Sequence, residues 1–140
     1  MTRRTDDRGG TELFVLVTLF AMLIALGLVV DGGGLMRAQD EAAWCAQQAA
    51  RAGVTRLDLA QAALGDAPVL DGPAAVATAL QVVAAAGMEG TAVVNADGSL
   101  TVTCTTEYRP VVAVWDGAPS WHITQEATAR PIRGVSAAEP

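Results

Sequence analysis

Lysine is absent from this 140-residue sequence, and histidine occurs only once. Because hydrolytic catalysis needs an activated nucleophile and an oriented base, the lone His122 gives little basis for it. Nothing around Ser99, Ser120 or Ser136 marks a nucleophile of that kind. We therefore assign no catalytic residue, no cofactor and no metal ligand, and we identify no small-molecule substrate.

Aromatic residues are also scarce, at 4% of the chain. Trp44, Trp115 and Trp121 could form an aromatic binding patch, but we expect them to fill a small core. Basic residues are outnumbered by acidic ones, 9 against 15, for a formal net charge of −6. This balance argues against nucleic acid as a partner.

Charge is missing altogether from Leu13 to Val30. As a helix rising ~1.5 Å per residue, this run would be about 27 Å long, close to the roughly 30 Å of a hydrocarbon core. A chain this short cannot readily enclose a helix that is apolar on every side. We predict a transmembrane helix over residues 13–30, with the lipid bilayer as its partner. Ala21 and Ala25 form a small-residue pair within it, suited to close packing of another helix.

Arginines predict the orientation of this span. Arg3, Arg4 and Arg8 precede it, so the positive-inside rule keeps residues 1–12 in the cytoplasm as a leader. The chain after the span is then outside the cytoplasm. We expect a single-pass protein of the cytoplasmic membrane.

Three export signals compete at the amino terminus. A cleaved secretory signal usually has a shorter apolar region, and a twin-arginine signal would have an apolar lead-in after Arg3 and Arg4. The third alternative is an uncleaved or pilin-type anchor, whose leader would be processed near Gly9, Gly10 and Glu12. The length of the apolar run favours this anchor.

Residues 31–64 have helical spacing of small and apolar residues, which predicts a long stalk helix continuing outward from the membrane. Gly32, Gly33 and Gly34 are its weak point, because each glycine costs ~1 kcal/mol relative to alanine inside a helix. We interpret these three residues as either a hinge or a place where another backbone packs closely.

Residues 65–133 are expected to form a small extracytoplasmic domain, followed by a tail over residues 134–140. Its first element is a short helix, with Asp71 as the cap and Pro73 in the first turn. Gly87 should end this helix. We expect its buried face to consist of Val76, Leu80 and Val83.

Beyond Gly90 the spacing of apolar residues changes to two. The segments 91–95 and 99–108 flank an Ala96-Asp97-Gly98 turn, which predicts a hairpin, and residues 121–130 alternate again as a third strand. Leu100, Val102, Cys104, Thr106 and Tyr108 should face inward. The predicted fold class is α+β, with a short helix packed on a three-stranded antiparallel sheet.

Two cysteines lie in the part of the chain expected outside the cytoplasm, where disulfides persist. Cys45 is on the stalk helix and Cys104 is on the inward face of a strand. A bridge between them would join helix to sheet and contribute roughly 4 kcal/mol in the chain-entropy description. The alternative is a pair of buried free thiols. We predict the disulfide.

The chain resembles the TadE/TadG-like family of tight-adherence pilus assembly proteins, in the form found in high-GC Gram-positive bacteria. The similarity is carried by four short stretches: Asp7-Arg8-Gly9, Asp31-Gly32-Gly33-Gly34, Ala49-Ala50-Arg51-Ala52-Gly53 and Ala127-Thr128-Ala129-Arg130-Pro131. Pilin-type processing places its Glu further beyond the cut glycine than Glu12 lies from Gly9 or Gly10. In that respect the sequence departs from the family pattern.

This resemblance implies a pilin-like accessory component, structural and not enzymatic, that is anchored by one helix. Its expected partners are other pilus-assembly membrane proteins or pilins. Two alternatives stay open: an envelope-tethered binding domain unrelated to pili, and a tethered enzyme, which would need a convergent polar pocket in the exported domain.

Overall fold

The structure is a computed structural model that describes residues 8–58, 69–111 and 120–131. Those ranges contain two helices and one antiparallel sheet, which confirms the expected α+β class. The elements in chain order are α1 (Arg8–Val54), α2 (Gly72–Ala85), β1 (Glu89–Val94), β2 (Leu100–Tyr108) and β3 (Trp121–Ala129).

Helix α1 is continuous from Arg8 to Val54, but its two halves have different surroundings. From Leu13 to Val30, every large apolar side chain is between 53% and 75% exposed. The Thr18 hydroxyl donates a 2.8 Å hydrogen bond to the Phe14 carbonyl, so its polar group is satisfied within the helix. In the second half, one face is buried, and it consists of Ala42, Cys45, Ala46, Ala49 and Ala50.

Helix α2 begins and ends where the sequence predicts. Asp71 is its N-cap, and its carboxylate accepts a 3.1 Å hydrogen bond from the backbone N–H of Ala74. Pro73 lies in the first turn, where its missing N–H costs nothing. Gly87, two residues beyond the helix, has a φ of 69°, which favours glycine and turns the chain toward the sheet.

The sheet has the order β1-β2-β3, with both pairs antiparallel. The β1–β2 turn contains Gly98 at a φ of 77°. Its neighbour Asp97 accepts hydrogen bonds from the Ser99 hydroxyl at 2.6 Å and the Ser99 N–H at 3.0 Å, and these bonds lower the pKa of Asp97. Arg130 beside the end of β3 donates to the same carboxylate at 2.7 Å, which ties the turn to the third strand.

The core lies between the second half of α1, helix α2 and the inner face of the sheet. Leu100, Val102 and Cys104 are fully buried in it, as expected for the inward face of β2. Strand β2 runs antiparallel to α1: Leu100 lies against Gly53, Cys104 against Cys45, and Tyr108 against Gly34. The second half of α1 is therefore the central helix of the domain and not a free stalk.

The expected stalk over residues 31–64 is too long. Helix α1 ends at Val54, and Leu57 instead forms an antiparallel bridge with Leu70. The Asp58 N–H donates to Val69 at 2.8 Å and the Asp71 N–H donates to Arg56 at 2.9 Å. Pairing with residues 69–71 replaces helical hydrogen bonds here. The remainder of the predicted stalk, residues 59–64, and the tail at 134–140 lie outside the described residues.

The expected buried face of α2 is also partly wrong. Ala75, Ala79 and Val83 are the buried residues of this helix, whereas Val76 is half-buried and Leu80 is exposed. Gly53 of α1 lies against Ala75 and Ala79 of α2, and the buried face of α1 before Gly53 consists mainly of alanines. Such a surface allows close approach, which selects small side chains at the contact and moves larger ones to its edges.

Candidate functional site

The first feature with a functional interpretation is the uncovered apolar half of α1. It is the one helix in the described part of the chain that is long and apolar enough to cross a membrane. Around Ala25 its surface has a shallow hollow of about 340 Å³, lined also by Met22, Leu26 and Val29. The predicted packing position at Ala25 is thus a recess between larger side chains. Ala21 lies one turn earlier on the same side of the helix.

The second feature is the junction between the apolar first half of α1 and the sheet. Asp31 follows the last apolar residue of the run, and its carbonyl accepts a 2.8 Å hydrogen bond from the Tyr108 hydroxyl. Its carboxylate accepts another, at 2.8 Å, from the Val111 N–H. Partial burial, helped by the Asp31 charge, raises the pKa of Tyr108, so its hydroxyl remains a donor.

Glycine makes that junction possible at one position. A Cβ on Gly34 would lie 2.9 Å from two ring carbons of Tyr108 and closer still to its hydroxyl oxygen. Gly32 and Gly33 have no atoms within 4 Å of such a Cβ. All three residues are helical, and the close neighbour of Gly34 is a side chain and not the second backbone of the close-packing alternative. The hinge alternative stays a prediction.

The two cysteines form the third feature. Their sulfur atoms lie 2.9 Å apart between α1 and β2, and both residues are buried. The structure has them as free thiols. Burial is the main cause that raises the pKa of Cys104 to about 12, with the Cys45 thiol adding to it. The predicted partners are therefore adjacent, and the covalent bond between them stays a prediction.

The expected leader-processing region falls at the start of α1. Gly9 and Gly10 are helical, and Glu12 is exposed one turn later. Residues 1–7 lie outside the described residues. Processing at either glycine is a prediction that this geometry leaves untested.

His122 lies on the outer face of β3, opposite Glu107 on β2. The two residues border a polar cleft of about 210 Å³, which also contains Glu89, Thr105 and Thr106. A hydrogen bond from Ser120, followed by the nearby Arg109, lowers the pKa of Glu107. Within the described ranges, no three His, Cys, Asp or Glu side chains come together as metal ligands.

The two tryptophans in the described ranges, Trp44 and Trp121, do not fill the core. Trp44 is 66% exposed and Trp121 is 47% exposed, whereas Trp115 lies outside the described residues. Trp44 stands beside Met88 in an open groove of about 510 Å³ with an acidic border at Asp40 and Glu41. Trp121 contacts Tyr108 with ring centroids 6.4 Å apart, and Tyr108 lies against Gly34 near the start of the packed part of α1.

The contact between Tyr108 and Asp31 is the feature of this junction that sequence reasoning missed. The alternation of β2 predicts that Tyr108 faces inward, but its partner is 77 residues away in the sequence. A tyrosine at the end of an inward strand face was the available signal.

Comparison of the chain with protein-family models, curated proteins and solved structures gave no match.

Proposed function

We propose that this protein is a membrane-anchored, pilin-like structural component of a tight-adherence pilus assembly system. Residues 1–12 are on the cytoplasmic side, α1 crosses the membrane over residues 13–30, and the domain built on its second half is outside. The protein contributes a surface for assembly and no chemistry.

Membrane anchoring is supported by the exposure of the apolar side chains in the first half of α1. Removing one large apolar side chain from water is worth ~1.5–3 kcal/mol. Leaving every such side chain of residues 13–30 in water would therefore cost more than the ~5–15 kcal/mol that stabilises a typical domain. A bilayer covers this surface on all sides, and it fits the length of the run.

The assembly role rests on the sequence resemblance together with the shape of α1. One helix with a protruding apolar half and a second half packed on an antiparallel sheet resembles a pilin in layout. The hollow at Ala25 gives a neighbouring helix a place to insert a side chain. In lipid, where no hydrophobic drive joins helices, such close packing is the main source of association.

Cross-linking in the native membrane tests this proposal. We expect the tagged full chain to cross-link to pilins or other pilus-assembly membrane proteins, identified by mass spectrometry. Ala21→Leu with Ala25→Leu should fill the recess and reduce these products severalfold. The matched control enlarges the opposite side of the helix, with Leu19→Phe and Leu23→Phe, and should retain them.

Two outcomes contradict the scaffold. One is that the Ala21/Ala25 double variant cross-links as well as the parent protein. The other is that His122→Ala abolishes pilus assembly although the protein is folded and correctly inserted. That result would favour chemistry at the polar cleft beside His122.

The groove beside Trp44 favours a second candidate, an envelope-tethered binding domain unrelated to pili. An exposed tryptophan next to a methionine, with carboxylates at the border, is suited to a ligand with an apolar body and a positive charge. The two candidates differ in gene neighbourhood, because a pilus component is expected beside genes for a secretion ATPase and a prepilin peptidase.

A further inference from the structure

We propose that Tyr108, Val111 and Trp121, here called the interfacial patch, lie in the headgroup layer of the membrane that α1 crosses. The exported domain then rests on the bilayer surface and does not stand clear of it. This inference depends on the proposed membrane anchoring of α1.

The depth of the interfacial patch in the membrane follows from its hydrogen bonds to α1. The apolar run ends at Val30, and the next residue, Asp31, is joined through its carbonyl to Tyr108 and through its carboxylate to Val111. A bilayer of ~40–45 Å with a core of ~30 Å leaves ~5–8 Å of headgroup layer on each side. At ~1.5 Å per residue, this layer corresponds to about residues 31–35 of α1. The Tyr108 side chain and the Val111 backbone, both bonded to Asp31, are therefore at its depth.

The chemistry of the patch suits that depth. Trp121 pairs in register with Tyr108, and their ring centroids are 6.4 Å apart. Trp121 is 47% exposed and Val111 is 70% exposed, so apolar area faces outward beside the end of the span. Tryptophan and tyrosine are enriched at membrane–water interfaces because their rings are apolar and their N–H or O–H groups are polar.

Among the described residues, a charge pair borders the patch. Arg109 is paired with Glu107 at 3.1 Å, so these two charges balance each other. The Asp31 carboxylate is turned to the Val111 N–H.

Fluorescence quenching in vesicles can locate each tryptophan. The full chain would be reconstituted in phosphatidylcholine vesicles that carry a nitroxide either on the headgroup or at the end of the acyl chain. A variant with Trp44→Phe and Trp115→Phe keeps only Trp121. We expect the headgroup nitroxide to quench Trp121 strongly and the acyl-chain nitroxide to quench it less.

The native Trp44 provides the control. It lies on α1 ~20 Å beyond Asp31, at ~1.5 Å per residue, which is outside the headgroup layer. A variant that retains only Trp44 should lose little emission with either nitroxide. A matched pair adds a second test: in a background without native tryptophans, Val111→Trp should be quenched and Val93→Trp should not. Val93 pairs with Thr101, at the other end of β2 from Tyr108.

Phe20→Trp in the same background separates this inference from the proposed anchoring. Strong quenching of Phe20→Trp by the acyl-chain nitroxide, with Trp121 quenched no more than Trp44, would overturn the interfacial patch and leave the anchor standing. Absence of quenching at both Phe20→Trp and Trp121 would overturn both. Quenching of Trp121 and Val111→Trp, with Trp44 and Val93→Trp unaffected, is the result that we expect.

Discussion

The Tyr108 hydroxyl donates a 2.8 Å hydrogen bond to the backbone carbonyl of Asp31, where the apolar half of α1 meets the sheet. Gly34 lies one turn further along α1, directly beneath the tyrosine ring. The contact joins the end of β2 to the helix at the residue that follows the apolar run.

Alanine at neighbouring glycines should therefore have opposite effects. Gly33→Ala adds a methyl group in open space and should stabilise the helix by roughly 0.5–1 kcal/mol. Gly34→Ala gains the same helix propensity, but its methyl group displaces the Tyr108 ring and breaks the bond to Asp31. We expect Gly34→Ala to be the less stable of the two in denaturant unfolding of the detergent-solubilised protein.

Removing the tyrosine ring should abolish this difference in stability. In a Tyr108→Ala background, Gly34→Ala should become as stabilising as Gly33→Ala. Equal stability of the two alanine variants in the parent protein would show that the tyrosine does not restrict this position.

Gly53 provides a second test of close packing. A Cβ there would lie 2.9 Å from the Ala75 carbonyl oxygen and closer still to a methyl group of Leu100. Because a backbone carbonyl in α2 cannot move alone, Gly53→Ala should destabilise the domain by about 1–3 kcal/mol despite its better helix propensity. Thermal unfolding of Gly53→Ala beside Gly33→Ala would measure this. Stabilisation by both changes would contradict the packing of α1 against α2.

Cys45 and Cys104 should be joined by a disulfide in the exported protein. Their sulfur atoms are already 2.9 Å apart, and removing the bond should cost roughly 4 kcal/mol if chain entropy dominates. Mass spectrometry of unreduced protein should find the linked peptides. Alkylation of both cysteines after unfolding without reductant would refute the bridge. A greater loss of stability in Cys45→Ala under oxidising than under reducing conditions would support it.

Reduced protein should lose stability at alkaline pH. Burial raises the pKa of Cys104 to about 12, whereas an unfolded thiol titrates near ~8.5. The folded state therefore binds this proton more tightly, and its contribution to stability is complete below ~8.5 and falls as pH rises toward 12. Unfolding of the reduced protein should show this decline from about pH 8.5 upward, whereas oxidised protein should show it less. If the stability of the reduced and the oxidised protein changed with pH in the same way, titration of Cys104 would not be the cause.

The hairpin and the ends of α2 were predictable because their signals are local. Asp71 caps α2 through a group three residues away, and Gly98 supplies the positive φ that the β1–β2 turn needs. The end of α1 was not predictable in this way. Helical spacing continues past Val54, but pairing between Leu57 and Leu70 replaces it. A contact of that kind has no signature in the spacing of either segment.

Spacing also did not predict which residues of α2 are buried against α1. Val76 and Leu80 fit the helical period as well as Ala75 and Ala79 do, and hydrophobicity favours the larger pair. The alanine surface of α1 decides in favour of the smaller pair, because it lets the helix axes approach. The junction at Tyr108 likewise depends on where β2 crosses α1, which requires the assembled domain.

Topology is the prediction on which the anchoring and the disulfide both depend. Arg3, Arg4 and Arg8 precede the apolar run, so residues after it should be outside the cytoplasm. A reporter that is active only outside the cytoplasm should work when fused after Pro140. Changing the three arginines to asparagine should weaken this orientation, whereas changing Arg109, far beyond the span, should not. Activity of a cytoplasm-only reporter at Pro140 would reverse the topology. It would also place both cysteines in a reducing compartment, where the thiols would stay free.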